Sequence, residues 1–176
     1  MEAKKTTTSS TSKPQRRSGS GRGRPKGNRE REQREFDQKI LDLARVTRVT
    51  AGGKRMRFRA TVVVGDHKGR VGVGTAKGLD VAAAVEKAYT QAKRRVVTVP
   101  LKNGTIPHAV SARYGSASVL LKPAPVGTGL KSGGAVRIVL ELAGVPNVVS
   151  KILNSKNKIN IARATMEGIE ALRRSL

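Results

Sequence analysis

The chain has 176 residues, of which 36 are Lys or Arg and 12 are Asp or Glu, giving a formal net charge of +24. Charge of one sign on that scale repels itself in a compact fold, so a polyanion, and nucleic acid above all, is the expected partner. Cysteine is absent, which excludes a disulfide framework, a thiolate metal site and a cysteine nucleophile. No apolar run approaches the roughly 18 residues of a membrane span, and no signal-type apolar core follows Met1. A soluble cytosolic protein with no membrane partner is expected. Phe36, Phe58, Tyr89 and Tyr114 are the only aromatics, too few for the stacking platforms that hold single-stranded bases, so readout of shape and backbone is favoured.

Residues 1–33 form a basic N-terminal arm. From Met1 to Arg29 it is Lys, Thr, Ser, Gly, Arg and Pro with almost no apolar residue, so it cannot bury enough surface to offset its ordering entropy and should be disordered when free. An organelle transit peptide is the rival reading, and the lack of an amphipathic apolar stripe argues against the mitochondrial kind. Between Arg29 and Asp42 the charges are mixed, with Glu30, Glu32, Glu35, Asp37 and Asp42 clustered. That pattern suggests a short solvated helix or lead-in, with nothing apolar to tune a catalytic carboxylate.

A first domain is expected over 34–99. Leu41 to Thr50 reads as a strand, and Ala51-Gly52-Gly53-Lys54 supplies a hairpin turn. From Arg55 to Val64 the alternation puts Met56, Phe58, Ala60, Val62 and Val64 on one face and Arg55, Arg57, Arg59 and Thr61 on the other. The arginine face should be wet or on RNA. Gly65-Asp66-His67-Lys68-Gly69 is a second turn, and Arg70 to Thr75 is a third strand with Val71 and Val73 to one side. Asp80 can cap a helix over Val81 to Val96 that turns Val81, Ala84, Val85, Ala88 and Ala92 inward.

A second domain is expected over 100–176. Val97 to Leu101 begins a strand, Asn103-Gly104 marks a turn, and Val110 to Lys122 holds strand stretches that Pro123 and Pro125 stop. A glycine-rich loop spans Gly127 to Gly134. Ala135 to Ala143 has a helical face of Val136, Val139, Leu140 and Ala143, ended by Gly144 in a left-handed conformation. Val148 to Leu153 is a short strand. Asn160 can cap a last helix with Ile161, Thr165, Met166, Ile169 and Leu172 inward. The fold class is α+β, in the order β-β-β-α then β-β-α-β-α.

Motifs for small-molecule chemistry are weak. Gly72-Val73-Gly74-Thr75-Ala76-Lys77-Gly78 has GxGxxxG spacing in place of the dinucleotide GxGxxG, and no acid follows at residues 91–100. Its glycines are read as letting the backbone approach a helix or RNA closely. Gly127-Thr128-Gly129-Leu130-Lys131-Ser132 ends like a phosphate loop but has Leu130 where glycine is needed. It retains small residues beside a helix start, which suit a phosphate of RNA or close docking of a protein. His67 and His108 are both loop residues without metal-ligand spacing. No cofactor and no metal site are expected. The basic residues fall on elements instead: Arg45, Arg48, Lys54, Arg55, Arg57, Arg59 and Arg70, with acids nearly absent between Thr47 and Asp66. Like charges across a hairpin are unfavourable unless phosphates intervene. An architectural DNA-binding protein lacks support, since no recognition helix or intercalating wedge is evident. A nuclease or nucleotide hydrolase would need a carboxylate cluster or a true phosphate loop.

Several short motifs are shared with one family. Arg45-Val46 with Gly52-Gly53, Val63-Val64-Gly65-Asp66, Gly69-Arg70-Val71-Gly72, Asn103-Gly104-Thr105, Gly127-Thr128-Gly129 with Gly133-Gly134, Leu142-Ala143-Gly144-Val145 and Arg163-Ala164-Thr165 resemble the bacterial-type ribosomal small-subunit protein five, from about Leu41 to Leu172. The resemblance implies a double-stranded-RNA-binding-like first domain and a second domain with a left-handed βαβ crossover. It implies no enzymatic activity, no homo-oligomer, and a cytoplasmic, ribosome-bound structural role. The implied partners are 16S-type rRNA, ribosomal proteins four and eight of the small subunit, and mRNA near the path by which it enters. The implied rRNA-binding residues are Arg45, Arg48, Gly52, Gly53, Lys54, Arg55, Arg57, Arg59, Arg70 and Lys77. Gly129 and Arg137 correspond to the interface with protein four, where the family influences translational accuracy while bracing the head against the body. Thr75-Ala76-Lys77-Gly78 departs from the family's usual Tyr/Gly-Gly-Lys-Ala.

Overall fold

A computed structural model describes residues 35–174; the expectations for the arm over 1–33 lie outside the described residues. Among the described residues, eight strands form two four-stranded sheets, in the orders β1-β2-β3-β4 and β5-β6-β8-β7. In chain order the elements are β1 (Asp37–Thr50), β2 (Gly53–Gly65), β3 (Arg70–Gly78), α1 (Val81–Lys93), β4 (Val96–Thr98), β5 (Val110–Tyr114), β6 (Ala117–Pro123), β7 (Leu130–Lys131), α2 (Gly134–Ala143), β8 (Val148–Ile152) and α3 (Lys158–Arg174).

The mixed-charge stretch before Leu41 is strand where a helix or lead-in was expected. Asp37 to Ile40 pair with Gly65 back to Val62, and Leu41 is then extruded as a bulge before Asp42 resumes opposite Thr61. The bulge explains how a strand rich in exposed charge sends Leu41, 6% exposed, into the core. The strand begun at Val96 closes the first sheet, antiparallel to β3 through Val71 and Val97, within the 34–99 span expected for the first domain, although the expected element order counted it with the second. Val110 to Lys122 is a hairpin of two strands. The glycine-rich loop contains the two-residue β7, parallel to β8, with α2 as its crossover.

The first sheet is covered on both faces. On one, α1 packs its buried Ala84, Ala88 and Ala92, an i, i+4 stripe small enough for helix and sheet backbones to meet. The glycines of the GxGxxxG run are the matching surface: a Cβ at Gly72 would lie 2.5 Å from the Ala92 carbonyl oxygen, and one at Gly78 2.7 Å from Ala84 N. The close approach they permit is to this helix. Asp80 caps α1, accepting from Val81 N at 2.7 Å.

On the other face, the expectation of a wet arginine surface holds only for part of β2. Thr61 and Val63 have no exposure, because Val63, Val71 and Val73 join one core with α2, α3 and the second sheet. The two helices lie between the sheets, α2 against β1, β2 and β3 and α3 against β5 and β6. The helical faces read from periodicity are buried as expected, from Val136 to Ala143 and from Ile161 to Leu172. α3 starts earlier than expected: Asn157, in place of Asn160, accepts from Ile159 N at 3.1 Å and so supplies the cap.

Candidate nucleic-acid interface

β1 and β2 remain paired out to Thr50 opposite Gly53, whereas β3 stops alongside β2 at Phe58 opposite Gly78. Residues 46–57 are therefore a two-stranded ribbon projecting past the sheet, and every residue from Thr47 to Arg57 is exposed. The turn is Ala51-Gly52. Gly53, at φ +132°, takes the conformation that a side chain would resist, and Thr50 Oγ1 donates to its carbonyl at 3.1 Å.

Strand register sorts the expected rRNA-binding residues into two groups. Arg48 lies opposite Arg55, Val46 opposite Arg57, Ala44 opposite Arg59, and Arg59 opposite Lys77. Arg48, Arg55, Arg57, Arg59 and Lys77 thus share one face. Arg45, opposite Phe58, and Lys54, opposite Val49, belong to the α1 side. Arg48 and Arg55 form a like-charged cross-strand pair, which is unfavourable without a counter-charge. Arg59 is partly engaged: its Nη2 donates to Asp42 at 3.4 Å, while Lys158 approaches the same carboxylate at 3.7 Å.

Arg70 stands apart. Its Nε donates to Asp66 Oδ2 at 2.6 Å, and its guanidinium lies 5.1 Å from the Phe36 ring centre. Asp66 Oδ1 also accepts from the backbone N–H groups of Lys68 and Arg70. Burial alone would raise the Asp66 carboxyl; the hydrogen bonds from the Arg70 side chain and the two amides, with the Arg70 charge, outweigh it and hold the group below its usual 3.8. A depressed carboxyl stabilises the fold above its unfolded pKa and loses that contribution as pH falls through the folded value. Chemical denaturation should therefore show stability declining below about pH 3.8, with a shallower decline in Asp66→Asn. Identical pH profiles for the two proteins would remove Asp66 as the cause.

Gly129 lies in the loop just before β7 of the second sheet, whereas Arg137 lies on α2, the helix packed against β1, β2 and β3. Gly129 has φ +72° with open space around its missing Cβ, and Arg137 is exposed on α2. The loop that carries Gly129 is positioned by Asn147, a residue the sequence did not single out. Its Oδ1 accepts from both Gly127 N and Gly129 N at 3.1 Å. Its Nδ2 donates to Gly104 O at 3.3 Å, and its carbonyl accepts from Thr105 Oγ1 at 2.7 Å. Two motifs far apart in sequence, Asn103-Gly104-Thr105 and Gly127-Thr128-Gly129, are pinned to one buried amide. His67 lies in the β2–β3 turn with Nδ1 2.9 Å from Glu141 O. Among the described residues no group of three His, Cys, Asp or Glu is placed to hold a metal.

An α+β body with a projecting strand ribbon whose arginines carry no ion pair among the described residues suits a polyanionic partner, the class of nucleic-acid-binding proteins. Residues 36–100 match the family described as ribosomal protein S5, N-terminal domain, and residues 112–176 match ribosomal protein S5, C-terminal domain. The chain belongs to the ribosomal protein S5 family, whose members are non-enzymatic structural constituents of the small ribosomal subunit, associated with rRNA and other ribosomal proteins.

Proposed function

We propose that this protein braces the head of the small subunit against its body, with the ribbon of residues 46–57 inserted in rRNA and the second sheet held against ribosomal protein four. The observation that carries this reading is the ribbon itself. A two-stranded hairpin is marginal in water alone, and this one has Arg48, Arg55 and Arg57 on one face and no acid between Asp42 and Asp66. Phosphates supply the missing counter-charge.

In this reading 16S-type rRNA is gripped through Arg45, Arg48, Gly52, Gly53, Lys54, Arg55, Arg57, Arg59 and Lys77, with Arg70 serving first to order its own turn. The segments 34–99 and 100–176 act as two docking modules preceded by the arm. Gly129 and Arg137 meet protein four and so bear on translational accuracy, protein eight is the other neighbour, and the ribbon side borders the mRNA path. The protein works as a single copy, ribosome-bound in the cytoplasm.

Since the chain has no cysteine, Ala51→Cys gives a unique attachment point at the ribbon tip for an iron chelate. In reconstituted small subunits the generated radicals should cut rRNA of the head as well as the body. Cleavage confined to body rRNA would reject the brace.

A further inference from the structure

Both helices that touch the second sheet, α2 and α3, lie on its inner side, and strand register fixes what points the other way. Lys122 and Lys131 each lie opposite Val149, and Leu120 lies opposite Lys151. Arg113, two residues along β5 from the Ser111 that pairs with Leu120, shares their face. We infer that this outer face is a second RNA contact, a platform for the backbone of a double-stranded segment. The inference rests on the rRNA-binding reading above and adds a surface on the opposite module from the ribbon, apart from the Gly129 loop given there to protein four.

Arg113, Lys122, Lys131, Lys151 and Val149 are exposed, and Leu120 is half-buried. No acid occurs on any of the four strands. Glu141 is the only acid between Glu86 and Glu167, and it is turned to the first sheet, where it accepts from Lys39 at 2.8 Å. The face therefore gathers four cations around two aliphatic side chains with no counter-charge of its own, and like charges on neighbouring strands are unfavourable. An anionic partner removes that repulsion.

The spacing of the cations indicates what that partner is. Lys122 and Lys131 are two strands apart, roughly 10 Å at the backbone, and Arg113 lies roughly 20 Å from Lys131 across the sheet. One phosphate or one carboxylate cannot meet all four, whereas successive phosphates of a polymer can. Arg113 Nε donates to Gly115 O at 3.1 Å, which leaves its terminal nitrogens for a phosphate. The face carries no aromatic, so it has nothing on which to stack unpaired bases. An RNA helix instead presents a wide, shallow minor groove lined by riboses and bordered by phosphates. Leu120 and Val149, lying between the cations, match the riboses, and the cations match the phosphates. An acidic protein fits less well, because protein interfaces are depleted in lysine and enriched in aromatics, and three of these four cations are lysine.

The test uses the full chain in two assays. In the first, the ribbon's grip is removed by Arg48→Gln, Arg55→Gln and Arg57→Gln, and amide resonances of Lys122, Val149 and Lys151 are followed while a short RNA duplex, one of its strands alone or polyglutamate is added. The duplex should shift them saturably and at lower concentration than either other probe. Adding Lys122→Gln, Lys131→Gln and Lys151→Gln should weaken duplex binding by at least about tenfold at an unchanged thermal midpoint. Tighter binding of the single strand overturns the duplex platform, and tighter binding of polyglutamate overturns it in favour of an acidic protein. No response to the duplex at this face, while the ribbon amides of the wild-type chain respond to it, overturns the inference and leaves the ribbon reading standing. In the second assay, the three lysine changes are made in the wild-type chain and binding to 16S-type rRNA is measured across salt concentrations. The slope of log affinity against log salt should fall by about 0.7–0.9 for each phosphate lost, up to three, and an unchanged slope overturns the face as an RNA contact.

Discussion

The triple variant Arg48→Gln, Arg55→Gln, Arg57→Gln should bind 16S-type rRNA with a salt slope shallower by up to three phosphate contacts, at about 0.7–0.9 each. At low salt, where the electrostatic contribution is greatest, affinity should fall by at least tenfold. The free protein should not be destabilised by the same changes. Arg48 and Arg55 face each other across the ribbon, and removing a like-charged cross-strand pair stabilises by a few tenths of a kcal/mol, up to about 1. Opposite signs for binding and for stability separate this account from the bland one, a solvated basic face that contributes to neither. Titrations at several salt concentrations, paired with urea unfolding of each protein, read both signs. An unchanged slope would mean that phosphate does not lie on this face.

How much of this arrangement could be seen in the sequence depended on whether a signal was local. The helical faces of α2 and α3 were legible because a 3.6-residue period in Val136, Val139, Leu140 and in Ile161, Thr165, Ile169 is independent of what packs against it. Asp80 and Gly144 were legible as cap and stop because each acts on its own helix end: Gly144 has φ +74°. What failed was long-range. β7 has two residues and exists only because β8 pairs with it, and β4, though inside the expected first domain, was counted with the later strands because nothing in Val96-Val97-Thr98 names its partner. The run Val62-Val63-Val64 carried the clue to burial on both faces, since a strand covered on both sides reads as continuous apolar residues, but the neighbouring arginine alternation outweighed it. At the site, the identity of the cations was legible and their distribution was not. Alternation alone puts Arg45 and Arg48 on opposite faces, but that Arg48 lies opposite Arg55, and which of the two faces meets α1, are set by the β1–β2 register, a property of the assembled sheet. Asn147 gave no signal at all, because its four bonds reach Gly104, Thr105, Gly127 and Gly129, the nearest of them 18 residues away.

Gly144→Ala should be among the most damaging single substitutions that leave every charge in place. The β2–β3 turn docks on the C-terminal end of α2, where His67 N donates to Leu142 O at 3.0 Å and Gly69 N to Ala143 O at 2.9 Å. Those bonds satisfy carbonyls that a helix end otherwise leaves open, and they tie the first sheet to the helix layer that both sheets share. At Gly144 the backbone runs directly beneath this turn: a Cβ would overlap the His67 carbonyl, with its carbon only 2.5 Å away. Backbone is the obstacle, so no rotamer change relieves it. Non-glycine residues held in the left-handed region cost about 1–3 kcal/mol, and overpacking adds about 1–3 kcal/mol more, for an expected loss of about 2–6 kcal/mol. Because Leu41, Val63 and Val71 share one core with α2, α3 and the second sheet, the loss should appear as a single shifted transition in urea, seen alike by helical circular dichroism and by the amide signals of the ribbon. A loss under about 1 kcal/mol, or two separated transitions with the first sheet intact after the second has melted, would show that the docked turn does not couple the two sheets. With the ribbon on one sheet and the Gly129 loop beside the other, that coupling is what fixes the spacing between the two.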